Sequence, residues 1–281
     1  MVINGRTDLA SELRQQRVDG TSVTELPGVR ATEELISDFP VTTVEILDER
    51  GEKALGRAVG RYITMELPSR MGDAFPAAAS TLAALIRRCA GELPQRIFLA
   101  ALGNPDITPD AIGGLSAEHL LVTRHLKQRA EADFAPFRST MLCRPGVLGT
   151  SGMESAQQIR SLCRDFEPQL VIAIDALAGA DLGHLCRSVQ ICNTGIAPGS
   201  GVGNSREAID QKSLGVPVLA IGVPTVVDAA ALSQDEELRG MFVTPRAIDS
   251  LVRTSSKLVA YGINLALHDG LTMADMELLL D

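Results

Sequence analysis

Four short apolar runs, Ile97–Leu102, Leu170–Ile174, Val189–Ile191 and Val218–Ile221, each lead into a glycine-bearing loop, and three of these loops carry a carboxylate. The first run is followed by GNPDITPDAIGG at 103–114, which contains Asp110. Asp175 ends the second run directly, and the fourth leads through GVPTVVDA to Asp228. Two carboxylates that face each other repel, so one keeps its proton as an acid while the other activates water as a base. Asp110 and Asp175 are the natural pair for hydrolysis of this kind. Spacing alone leaves plainer readings open: a turn or N-cap residue for Asp110, and a cap of the following helix for Asp175. Asp106 reads as an ordinary turn residue.

Other motifs carry weaker chemistry. GIAPGSGVGN at 195–204 follows the third run and could present backbone N–H groups to an anion, yet it fits neither GxxxxGK[ST] nor GxGxxG. A structural or oxyanion-supporting loop is the better reading. Gly149-Thr150-Ser151-Gly152-Met153 has Met153 where a nucleophile elbow needs glycine. His119 and His125 lie off the i,i+4 spacing of a metal pair, and His184 and His268 stand alone, so each reads as structural or solvent-facing. The five cysteines are an odd number and show no CxxC spacing, which argues for reduced, mostly buried thiols rather than disulfides or a zinc site.

These residues need a scaffold that places strand ends together. Continuous apolar runs suit parallel strands covered by helices on both faces. Helical spacing is found at Ala77–Cys89, after Pro76, and helices are expected at Ser116–Ala132, Met153–Arg164 and Pro245–Leu267. The expected fold is α/β, a mostly parallel doubly wound sheet flanked by helices, where ligands sit beyond the carboxyl ends of the strands. Val41–Leu47 and Arg61–Leu67 read as an N-terminal β-hairpin decorating it, and residues 1–40 as polar and irregular. No linker divides the chain.

The 281 residues include 26 Lys and Arg against 35 Asp and Glu, a net charge of −9, with 45% hydrophobic residues. That composition supports a packed core and argues against a partner bound through its phosphate backbone. With 3% aromatic residues and no Trp, stacking platforms for single-stranded nucleic acid are not expected either. No run is long enough to span a membrane and no apolar signal core begins the chain, so the expectation is a cytoplasmic protein without nucleic-acid or membrane partners.

Ordered motifs run along nearly the whole sequence: RTDLA at 6–10, GRYITME at 60–66, LGN at 102–104, TPDAIG at 108–113, LLVTRHL at 120–126 and RPGVLGTSGMES at 144–155. They continue with VIAIDALA at 171–178, TGIAPGSGVGN at 194–204, LGVPVLAIGVPTVVDA at 214–229, VTPRAID at 243–249 and GINLALH at 262–268. In these motifs the chain resembles the germination protease family of spore-forming bacteria, endopeptidases that degrade small acid-soluble spore proteins. That family is similar in turn to the hydrogenase-maturation endopeptidases, which share an α/β fold with a Gly-Asn loop and a strand-end Asp.

The resemblance implies an aspartic-type endopeptidase without metal or cofactor, its two essential carboxylates falling on Asp110 and Asp175. Substrate and oxyanion support would come from Gly103, Asn104, Gly199, Ser200, Gly201 and Asp228. It also implies a zymogen that cuts itself between Asp8 and Leu9, releasing residues 1–8 as a propeptide and leaving 9–281 as a single domain. Leu9-Ala10-Ser11-Glu12 looks like the sequence that follows the cut in the spore proteins. A homotetramer in the forespore or spore core is implied as well. Two alternatives stay open: a maturation-type endopeptidase with metal-assisted recognition, in which Asp110, Asp175 and a His would be ligands, and a non-catalytic peptide-binding member.

Overall fold

A computed structural model describes residues 6–19, 26–130, 132–204, 206–233 and 236–280; residues 1–5 of the expected propeptide lie outside them. One sheet dominates it, built from β1 (Val29–Ile36), β2 (Phe39–Ile46), β3 (Gly60–Glu66), β4 (Arg96–Ala101), β5 (Ser139–Cys143), β6 (Leu170–Gly179), β7 (Ser188–Cys192), β8 (Val218–Asp228) and β9 (Phe242–Val243). Their order is β1-β2-β3-β7-β8-β6-β4-β5, with β9 paired to β8.

The α/β class expected from the alternation of runs is the observed one, and the sheet has two halves of different character. β8, β6, β4 and β5 are mutually parallel. β1, β2, β3 and β7 pair antiparallel, and β7 meets β8 antiparallel too. The run at 189–191 is therefore not one of the parallel strands. The supposed hairpin decoration is the outer part of the same sheet, and β1 extends it into the stretch read as irregular. Apolar content could not separate these cases, because a strand buried on both faces looks alike in either direction.

Alternate residues of the central strands feed two cores. Ile97, Leu99, Ile172, Ile174, Leu219 and Ile221 pack with helices Phe75–Ala90 and Ile248–Leu267 on one face. Phe98, Ala100, Val171, Ala173 and Val218 pack with helix Ser155–Phe166 on the other. Helix Ala10–Asp19 lies on this second face through Ala10, against Val44, Ile46, Tyr62 and Ala220. By period-two alternation Asp175, Gly222 and Gln190 belong to the second face as well.

The helix expected over 116–132 is broken into Ile112–Ser116, a 3₁₀ turn at Ala117–His119 and Arg124–Arg129. Asn264 is the reason: its Oδ1 accepts from Leu121 N (3.0 Å) and its Nδ2 donates to the His119 carbonyl (2.7 Å), holding the chain extended between the pieces. The short helix Ile112–Ser116 presses directly on the carboxyl end of β4 and the middle of β6. A Cβ on Gly113 would stand 2.3 Å from Leu102 O, 2.5 Å from Leu102 N and 2.6 Å from Ile174 O, all backbone atoms that have nowhere to move. Gly113→Ala is therefore expected to lower stability by about 2–3 kcal/mol, as overpacking does. A fall in the urea midpoint at unchanged slope would measure it.

Candidate active site

Asp175 stands midway along β6, which continues to Gly179 instead of ending at the acid as the sequence suggested; it is only 3% exposed and is paired in register with Gly222 of β8. Asp110 reaches the same place from the loop after β4, at the end of a 3₁₀ turn, Thr108–Asp110. That loop is fixed at several points. Thr225 Oγ1 donates to Pro109 O (2.6 Å), Thr108 Oγ1 donates to Asp249 Oδ1 (2.9 Å), and Asn104 N donates to Asp110 Oδ2 (2.8 Å). Gly103, at φ +89°, sits so close that a Cβ would be 2.0 Å from the Asp110 carbonyl oxygen, so both its left-handed backbone and its bareness are required. Asn104 Oδ1 accepts from Asp106 N (3.0 Å), which makes Asp106 the exposed turn residue expected of it.

Asp110 and Asp175 line one cleft of about 600 Å³, together with Asp8, Gly103, Gly201 and Thr225. Burial drives the Asp175 carboxyl well above the ordinary carboxylate range, and the neighbouring charge of Asp110 raises it further, with a smaller push from Asp8. The Ala176 amide opposes this. Asp110 is half-buried; desolvation raises its pKa while the Asn104 amide draws it back. Both carboxyls are thus raised, Asp175 the more strongly, so a proton shared between them favours Asp175.

Asp8 also lines the cleft, and its surroundings differ. Its Oδ1 accepts from Arg57 Nη2 (2.9 Å) and Ser200 Oγ (2.8 Å), and its Oδ2 accepts from Ala178 N (3.0 Å). Its own amide donates to Ala178 O (2.9 Å). Gln190 spans the Asp8–Leu9 bond: Nε2 donates to Asp8 O (3.0 Å) and Oε1 accepts from Ala10 N (2.7 Å). Across the sheet Gln190 and Asp175 both pair with Gly222, so donor and acid share one row.

Of the remaining residues singled out in the sequence, Gly199 and Gly201 line the cleft, whereas the amides of Ser200, Val202, Gly203 and Asn204 are engaged in turns within their own loop. That loop contributes the Ser200 hydroxyl and the bare Gly201 rather than an open cradle of N–H groups. The Asn104 amide is likewise taken by Asp110. Asp228 is buried and accepts from Ala230 N (3.0 Å) and Gly240 N (3.4 Å), a capping role outside the cleft lining.

His184, read as structural or solvent-facing, pairs through Nδ1 with Glu12 Oε1 (2.6 Å), and that bond raises its pKa against the opposing effect of burial. Burial pushes the His268 imidazole down to about 4. The five cysteines are free thiols, four of them buried. Among the described residues no group of three His, Cys, Asp or Glu side chains is placed to hold a metal ion, and no helix is long and apolar enough to cross a membrane. Sequence reasoning missed Arg57 and Gln190. Arg57 gave no signal, but a polar side chain interrupting the apolar run at 189–191 was a legible one.

Comparison with known proteins places these observations. A family profile described as germination protease matches residues 6–237. The chain is 39% identical to the germination protease of Caldanaerobacter subterraneus, over 100% of this chain and 99% of that protein. It is 36% identical to that of Clostridium perfringens, over 98% of each. A solved NiFe hydrogenase maturation protease from Thermococcus kodakarensis aligns with 64% of this chain and 98% of its own, at 19% identity and a TM-score of 0.37.

The buried acid makes a test independent of catalysis. Below about pH 4, near the ordinary Asp pKa, residue 175 is protonated both folded and unfolded and costs nothing. As pH rises, the unfolded chain ionises first, so the native protein loses stability until its own raised pKa is passed. Asp175→Asn should therefore match the unaltered protein in acid and exceed it in melting temperature increasingly towards neutral pH. Melting curves from pH 3.5 to 8 would read this, and a constant difference would contradict it.

Proposed function

The chain belongs to the germination protease family, and from that premise we propose that its Asp110–Asp175 pair performs the peptide hydrolysis. Family membership makes the protein an endopeptidase of spore germination. In the fuller reading it is an aspartic-type enzyme, made as a zymogen, that cuts itself between Asp8 and Leu9. It then degrades small acid-soluble spore proteins after acidic residues, as a homotetramer in the spore core. The observation that carries this is that Asp8 lines the cleft that holds both carboxylates, while Gln190 grips the backbone on either side of the Asp8–Leu9 bond.

The chemistry follows from the two environments. Asp110, ionised, takes a proton from water as its oxygen attacks the scissile carbonyl carbon. Asp175, protonated, supplies a proton to the carbonyl oxygen. Gln190 Nε2, already donating to Asp8 O, stabilises the negative charge that grows there. Collapse of the tetrahedral species breaks the C–N bond: the amine departs with the proton that Asp110 had taken, and a hydroxyl of the species returns a proton to Asp175 as the new carboxyl group forms, restoring the pair. A pair sharing one proton works only between its two macroscopic ionisations, so the rate should rise and then fall with pH. Both limbs are expected above the ordinary carboxyl range, since both groups are raised.

Incubation of the full chain at mildly acidic pH, followed by N-terminal sequencing, is expected to give Leu9 as the new first residue. Persistence of Met1 after full activity towards a spore protein would contradict self-processing. Asp110→Asn and Asp175→Asn should each lower the cleavage rate by about 10³-fold or more, since acid–base groups of this kind contribute roughly 10²–10⁴. A folded variant of either type that cuts at the parental rate overturns the assignment. Gln190→Met should lower kcat by about 10²-fold, the usual cost of one oxyanion donor.

A further inference from the structure

The segment that enters the cleft is held by two acidic side chains, not one. Asp8 occupies a pocket formed by Arg57, Ser200 and the Ala178 amide. Gly201 closes its floor, and a Cβ there would stand 2.1 Å from Asp8 Oδ2. Four residues on, Glu12 is only 6% exposed and occupies a second pocket on the same face. Its Oε2 accepts from Ala180 N (2.7 Å) and from the Thr7 hydroxyl, and its Oε1 accepts from Asp181 N (3.2 Å) and meets His184 Nδ1 at 2.6 Å. Between the two pockets Gln190 grips the backbone on either side of the Asp8–Leu9 bond, and Leu9 is fully buried.

Helix Ala10–Asp19 is otherwise polar, ASELRQQRVD, and buries only Ala10 and Glu12. A surface helix normally docks through an apolar stripe. This one is seated by charge-assisted hydrogen bonds at fixed points, which is how a protein holds a ligand it must select by sequence and then release. The cut also changes the balance. Severing Asp8 from Leu9 separates the two anchors, so the retained segment keeps Glu12 alone and the Arg57 pocket loses its carboxylate. An incoming chain brings carboxylates for both pockets, whereas the tethered segment retains one.

We propose that these pockets are the substrate-reading sites of the enzyme: Arg57, Ser200 and the Ala178 amide accept the acidic residue before the cut bond. His184 and the amides of Ala180 and Asp181 accept a second acidic residue four positions further along. The ligand is thus an acidic peptide with carboxylates at a fixed spacing, and the zymogen's own Asp8 and Glu12 fill both sites until the first cut. This rests on the protease reading above and adds the residues that set its specificity.

The test uses the full, self-processed chain and the free peptide RTDLASELRQQR, residues 6–17 of the sequence. Replacing the peptide's Asp by Asn, or its Glu by Gln, should each lower kcat/KM at least tenfold; these changes leave the protein's folding untouched. Arg57→Gln should remove the sensitivity to the Asp replacement while keeping that to the Glu, and His184→Gln should do the reverse. Gly201→Ala should behave as Arg57→Gln does. Peptides cut equally fast with amides in place of the acids, or protein variants that keep both sensitivities, overturn the proposal. A binding measurement separates its failure from that of the protease reading. The labelled peptide is titrated by fluorescence anisotropy into full chain carrying Asp8→Asn, Glu12→Gln and Asp175→Asn. If the unaltered enzyme cuts no peptide yet binding requires both acids, Arg57 and His184, the pockets stand and the hydrolytic reading falls. Binding indifferent to the acids refutes the pockets.

Discussion

Asp175 is an acid at the centre of a sheet, nearly sealed from water, whose nearest electrostatic neighbours include two further acids, Asp110 and Asp8. Desolvation penalises an ionised carboxyl there, and like charges add to the penalty, so the neutral form is favoured against the single opposing amide of Ala176. Such an arrangement opposes stability and is tolerated because hydrophobic layers cover both faces of the sheet below it. The backbone must also come unusually close. Gly103 and Gly113 let the loop carrying Asp110 rest on the end of β4 and the middle of β6, where any side chain would collide with main-chain atoms. The strain of placing two carboxyls together is thereby borne by rigid elements, which is the condition for holding them in a reactive geometry.

The change of strand direction within the sheet serves the same place. Because β7 runs antiparallel to β8, Gln190 falls opposite Gly222, and Gly222 falls opposite Asp175 on its other side. A single row across three strands therefore carries an amide donor at one end and a buried acid at the other. The amino-terminal segment lies over that row. Its Asp8 has a guanidinium, a hydroxyl and a main-chain amide to receive its charge, while Asp175 has only one amide in its favour. Asp8, Asp110 and Asp175 thus share one cleft with different sets of donors, set by the fold.

Much of this was legible before any coordinates. The four apolar runs all became strands and Asp110 and Asp175 share a cleft as their positions suggested, but β6 and β8 run on to Gly179 and Asp228, so the stretches read as loops after those two runs are strand. Asp228, reached by the same reasoning, turned out to cap its own loop, because a carboxylate next to a helix start and a carboxylate at a cleft look alike in one dimension. The glycine-rich stretch at 195–204 misled in a related way: its amides close turns on themselves, and the loop acts through Ser200 and the bare Gly201.

What the sequence determined by itself was local: hydrophobic period, the apolar centres of the strands, turn chemistry and the order of motifs, since each depends on neighbours along the chain. Strand direction, register and the partners of isolated polar residues were decided only by the tertiary structure. Arg57 meets Asp8, His184 meets Glu12 and Gln190 meets the Asp8–Leu9 bond across separations of 49, 172 and 182 residues respectively. Nothing in the local pattern encodes such meetings. They follow from which strands lie side by side and by how many residues each is shifted, and that is settled by the burial of all the faces at once.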